Sequence, residues 1–252
     1  MYTYAAMLKG MRAHHDALDA AIWRHGFRRG ELSAGQFRAA HRALSSTRAA
    51  DLGYTNPWAR QVWERYLQRV IVACNLHEGP LLMATVLDRR WHFPWGTWGF
   101  APEAMALQAE LAFGRVPYLL QIEFAPLTYS GEKLVAPHLQ GFVLEDLSRR
   151  RKDKIKRFFS GGLAGADPLH VQPVWDFAGA CRYNVKSPDR MWTCTTDRHG
   201  TRWRQSRPMS GSQHYYLWRH LHRYAYPQLT LAGGVGARVL ELAAEAAGYD
   251  VP

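Results

Sequence analysis

The chain has 252 residues, 47% of them hydrophobic and ten of them tryptophan, which suits one generous domain or a core domain with helical additions. Lys and Arg outnumber Asp and Glu by 32 to 21, giving a formal net charge of +11. That excess favours a polyanionic partner, nucleic acid first and an anionic membrane surface second. Cys74, Cys181 and Cys194 form no disulfide framework and are not spaced as metal ligands. No apolar run approaches the roughly 18 residues of a membrane span, so the expectation is a soluble, cytoplasmic protein without a signal peptide.

Residues 1–78 read as helices, either binding DNA or packing on the core. Met7, Met11, Leu18, Ala21, Ile22 and Phe27 recur at roughly helical spacing. Ser33 is placed to cap a second helix through Phe37, Ala40 and Leu44, and a third runs from about Pro57 to Cys74. His14 and His15 are adjacent and cannot share a helix face, so they imply no metal site.

From Leu81 the period changes. The apolar run 81–87 predicts a buried strand, followed by an aromatic loop from Trp91 to Trp98. Pro102 to Phe113 reads as a helix with Pro at its start and Gly114 past its end. Val116–Phe124 and Ala136–Leu144 read as two strands joined through Gly131. A basic helix follows from Leu147 to Phe159, carrying Arg149, Arg150, Arg151, Lys152, Lys154, Lys156 and Arg157. A strand over Leu169–Trp175 and a helix over Phe177–Lys186 complete the unit. The order predicts an α+β fold, a ferredoxin-like antiparallel sheet with helices on one face and helical additions at both ends. The core spans 79–190. The extension 191–252 reads as irregular, then helical over 212–224 and 235–247. Its stretch from Gln213 to Tyr224 mixes aromatic and basic residues, a pattern that serves core packing or stacking on bases.

Three features carry chemistry. In Pro137-His138-Leu139-Gln140-Gly141 the polar side chains of His138 and Gln140 leave a strand on the same face. Taken alone, that stretch fits an ordinary half-buried strand as well as it fits a ligand pair. Glu123 lies on the preceding strand, and a hairpin brings it within reach of both. A carboxylate on an apolar strand is costly without a partner, and a Glu, His and Gln set suits Mg²⁺ or Mn²⁺ better than zinc. Tyr183 and Lys186, three apart, share one helix face. A tyrosine hydroxyl is a nucleophile toward phosphorus, and the lysine can steady the developing charge.

In motif order and separation, residues 80–190 resemble the HUH endonucleases, in particular single-tyrosine rolling-circle replication initiators. The metal motif falls on His138-Leu139-Gln140, similar to the viral form in which Gln replaces a second His. The upstream acid falls on Glu123 and the nucleophile motif on Tyr183 and Lys186. A first motif matches Ala84-Thr85-Val86-Leu87-Asp88 more loosely. The resemblance implies a Mg²⁺- or Mn²⁺-dependent enzyme that nicks and rejoins single-stranded or hairpin origin DNA through a 5′-phosphotyrosine. It further implies a host helicase and polymerase as partners, and origin DNA gripped by the basic helix. A relaxase or single-tyrosine transposase shares the chemistry. A non-enzymatic nucleic-acid-binding protein, carrying His138 incidentally, remains the reading from a different class.

Overall fold

Two twelve-residue strands, β3 (Tyr118–Tyr129) and β4 (Glu132–Val143), form the hairpin around which the sheet is assembled. Ser130 and Gly131 turn it with φ of 50° and 85°, and positive φ at both central residues matches the twist of a two-residue hairpin. The structure is a computed structural model describing residues 79–97, 99–184, 190–196, 202–210, 213, 216–217 and 226–234. The helices expected in 1–78 and 235–247, most of 212–224, and Lys186 lie outside the described residues.

β1 (Leu82–Val86) pairs antiparallel with β4 and with β5 (Leu169–Pro173). On the other side β6 (Arg190–Thr196) runs parallel to the end of β3 and forms an antiparallel pair with β7 (Arg202–Pro208). The path is β5-β1-β4-β3-β6-β7, with the short β2 (Phe93–Pro94) on β4 and β8 (Thr230–Gly233) on β3. The fold is α+β, built on a mixed sheet of eight strands. The segment after 190, expected to be irregular and then mostly helical, instead supplies three strands to the same sheet. Its aromatic and β-branched residues Trp192, Thr193, Thr195 and Thr196 suit a strand, and pairing to β3 realises it.

Three α-helices are described: α1 (Pro102–Phe113), α2 (Arg149–Lys156) and α3 (Phe177–Asn184). Gly114 ends α1 with φ of 58° while its N–H reaches the Glu110 carbonyl. Ser148 Oγ caps α2 by accepting from the Arg151 N–H. That helix is shorter than its sequence pattern predicts. Phe158 N and Phe159 N bond three residues back, to Ile155 O and Lys156 O, and this tightened turn brings Phe159 into the core.

Alternation on β3 and β4 splits the sheet into two faces. Leu120, Ile122, Phe124, Val135, Leu139 and Val143 join Met105, Ala109 and Phe113 of α1 and Ile155 of α2 in the main core. Ile155 is the only buried side chain of α2, worth about 1.5–3 kcal/mol of burial. α3 lies on the opposite face, where the Phe177 ring sits 5.7 Å from that of Phe142. The expectation of all helices on one face is therefore corrected. The cause is local: Phe177 finds its apolar partner among the residues that alternate with the main core.

A buried carboxylate joins the ends of these elements. Asp88, fully enclosed, accepts from Arg90 Nε (2.9 Å), Arg90 N (3.0 Å), Gln108 Nε2 (2.8 Å) and Ser160 Oγ (2.5 Å). Gln108 and Arg90 also donate to the Phe158 carbonyl. Burial alone would raise the Asp88 carboxyl, but the Arg90, Ser160 and Gln108 hydrogen bonds outweigh it and hold the group well below the usual carboxylate range.

Two predictions follow from these contacts. A carboxylate depressed by the fold stabilises it above the ordinary value near 3.9, and that stabilisation is lost as pH falls. Asp88→Asn should therefore be less stable by about 2 kcal/mol or more at pH 7, with the gap narrowing at pH 3 in urea unfolding. Separately, a Cβ on Gly141 would meet the Leu119 carbonyl oxygen at 2.1 Å. Gly141→Ala should lower stability by about 1–3 kcal/mol, read as a drop in the unfolding midpoint.

Candidate functional site

The hairpin register pairs Glu123 with His138 and Gln121 with Gln140. All four side chains leave the face opposite α1 and α2. Directly paired residues stand about 5 Å apart at Cβ and alternate residues about 7 Å apart, so the four make a two-by-two patch. Glu123 Oε2 lies 3.3 Å from His138 Nε2, with the side chains 15% and 14% exposed. His138 Nδ1 lies 3.3 Å from the Ala136 carbonyl. When Nδ1–H donates to that carbonyl, the Nε2 lone pair faces the carboxylate, and a proton or a cation must lie between them.

The two glutamines are each only 5% exposed. Gln121 Oε1 is buried and, among the described residues, has no hydrogen-bond partner. An amide oxygen in that state, next to a carboxylate and an imidazole, is a donor set suited to a hard divalent cation. No three of His, Cys, Asp and Glu form a metal-holding cluster among the described residues, so a cation held here would draw on the amide oxygens too. Gln121 was missed in the sequence, although Gln121-Ile122-Glu123 has the same polar-apolar-polar alternation as His138-Leu139-Gln140.

His92 is the second addition. Just before β2, it continues a ladder in which Phe93 pairs with Val135, and this sets it beside Ala136 on the His138 side of the sheet. Its Nδ1 is buried without a hydrogen-bond partner among the described residues. Burial pushes its pKa down to about 4; Asp88 opposes the shift and neighbouring His138 adds to it. Its place depends on the β2–β4 pairing, which no local pattern announces.

α3 spans the same face. It begins against Phe142, and the chain then continues to β6, whose pairing with β3 starts at Leu127. Phe177, Cys181 and Asn184 form its buried side, and Tyr183 is 52% exposed. Both polar atoms of the Asn184 side chain are buried without a partner among the described residues.

The basic residues lie elsewhere. Arg149, Arg150, Arg151, Lys154 and Arg157 are exposed, with Lys152 and Lys156 half-buried, on the layer opposite His138. Arg151 pairs with Glu145, and Lys156 with Asp167 at 2.7 Å. α2 packs beside the edge strand β5. The structure therefore brings Glu123, His138 and Gln140 together and sets the basic helix behind them.

Among the described residues no disulfide joins Cys181 or Cys194. Among the described residues no helix is long and apolar enough to cross a membrane. Comparison with protein-family models, curated proteins and solved structures finds no match.

A histidine held neutral by the fold contributes stability that is complete above the ordinary value of 6.5 and is lost as pH falls toward about 4. The His92 Cε1 proton should accordingly hold its NMR shift from pH 8 to about pH 5.5, while free imidazole in the same sample titrates.

Proposed function

We propose that this chain is a divalent-metal-dependent single-strand DNA nickase of the HUH type, which opens and rejoins an origin through a phosphotyrosine. The observation that carries the reading is the 3.3 Å Glu123–His138 approach, with Gln140 in the next row of the same face. The order β5-β1-β4-β3, antiparallel throughout, with α1 and α2 as crossovers on one face, supports a ferredoxin-like core for that unit. The parallel β6, β7, β8 and α3 are additions to it.

In this mechanism Glu123, His138 and Gln140, with Gln121 Oε1 beside them, hold Mg²⁺ or Mn²⁺. A bound divalent cation supplies charge neutralisation at the scissile phosphate. Tyr183 gives its phenolic proton to solvent as its oxygen bonds to phosphorus. The bond to the 3′ oxygen breaks, and that oxygen takes up a proton and leaves as a 3′ hydroxyl able to prime synthesis by a host polymerase behind a host helicase. Reversal of the same steps rejoins the strand. Lys186 steadies charge on the phosphoryl oxygens, and α2 contacts phosphate, which makes binding fall with salt.

The test is a labelled single-stranded hairpin from the chain's own replicon incubated with Mn²⁺. The wild type should form a denaturant-stable protein–DNA adduct, lost in Tyr183→Phe and on chelation of the metal. No adduct with any such hairpin would leave a non-catalytic nucleic-acid-binding protein. An adduct that survives Tyr183→Phe would move the nucleophile elsewhere.

A further inference from the structure

We infer that Trp175 is a base-stacking platform that leads single-stranded DNA around the β5 edge, from α2 on one face to Tyr183 on the other. The inference rests on the nickase reading for its substrate and on separate observations for its geometry. Trp175 is 87% exposed, the most exposed of the large hydrophobic side chains described. Indoles ordinarily bury much of their area, and one left in water at a sheet edge offers an open π-face.

Topology places it between the two functional layers. β4 ends at Val143, which pairs with Leu82, and Leu82 pairs with Pro173 at the end of β5. The first turn of α2 and Trp175 therefore occupy the same end of the sheet. From there the rise along α3 from Phe177 to Tyr183 is about 9 Å, at 1.5 Å per residue. Among the described residues β5 pairs only with β1, and its His170, Gln172 and Pro173 are exposed. Asp176, the acid beside Trp175, is turned into α3, where its Oδ1 accepts from Gly179 N at 2.9 Å. The exposed cations Arg149, Arg150 and Lys154 lie on α2 and Arg157 caps its end, and α2 packs beside β5. A cationic track with an open aromatic ring is the combination that binds single strands, because every base has a face to stack.

The experiment measures binding of the full chain to a dT15 oligonucleotide by fluorescence anisotropy with EDTA present, so that nicking plays no part. Trp175→Ala should weaken binding about 5- to 100-fold, and Trp175→Phe should stay within about threefold of wild type. Binding to a 15-base-pair duplex, which hides its base faces, should be unchanged in both. Unchanged dT15 affinity in Trp175→Ala overturns the platform, as does an equal loss on duplex. A preference for rU15 over dT15 overturns the DNA assignment. The adduct assay, run alongside, separates the two ideas. Trp175-dependent dT15 binding without any adduct sinks the nickase and supports the platform, whereas an adduct with Trp175-independent binding sinks the platform alone.

Discussion

The register of β3 against β4 is the constraint on which the rest of the molecule depends. Twelve consecutive pairs, from Tyr118↔Val143 to Tyr129↔Glu132, decide which side chains enter the main core and which leave the other face. A slip of one residue would turn one strand over, burying Glu123 and exposing Ile122 if β3 slipped, or burying His138 and exposing Leu139 if β4 did. Two features oppose that slip. Leu120, Ile122, Leu139 and Val143, each no more than 2% exposed, already fill the core side. At Gly141 the backbone of β3 comes so close that a residue with a side chain would have to displace it. The site's geometry is thus a by-product of core packing, with no dedicated loop required.

The Asp88 network does for the helix layer what the register does for the sheet. Its partners come from the 3-10 turn after β1, from α1 and from the turn after α2, so one carboxylate fixes three chain segments. Because that turn is fixed, the chain leaves it in an extended path and delivers His92 to β2 and the site face. A structural ion pair on one layer thereby positions an imidazole on the other. The connection is covalent and short, four residues from Asp88 to His92, which is why it can be stiff.

Much of this was legible in the sequence. A short apolar run located β1, alternation located the inner half of β4 and β5, and the inner half of β3 was also read as a strand, while Pro102 and Gly114 bracketed α1 correctly. The outer halves of β3 and β4, 125–129 and 132–135, were missed, and each strand carries a proline, Pro126 or Pro137, in its interior. Each proline sits where its strand lacks a neighbour on the far side. Pro126 falls between the β8-paired segment 118–121 and the β6-paired segment 127–129 of β3. Pro137 falls between the β2-paired and β1-paired segments of β4. A missing N–H is harmless at a gap, and gaps are a property of topology. The approach of Glu123 to His138 was inferable from a hairpin alone. Gln121 became visible only with the register, and His92 only with the non-local pairing of β2.

The rows of the site face also differ in a way that packing does not explain. Met83, Phe142 and Leu119 form one cross-strand row, all three buried and Phe142 set against Phe177 of α3. The adjoining row is polar from edge to edge: His170, Thr85, Gln140, Gln121 and Thr230. Beyond it come His138 and Glu123. Among the described residues the buried Gln121 oxygen has no donor, which costs about 1–3 kcal/mol. Apolar residues at these positions would extend the Phe142 row and stabilise the sheet. Local sacrifices of this kind concentrate where a protein binds something, because the ligand completes the interactions that the fold leaves open. The polar row also reaches the β5 edge at His170, so whatever meets the Glu123–His138 pair has a continuous polar approach from the exposed side of the sheet.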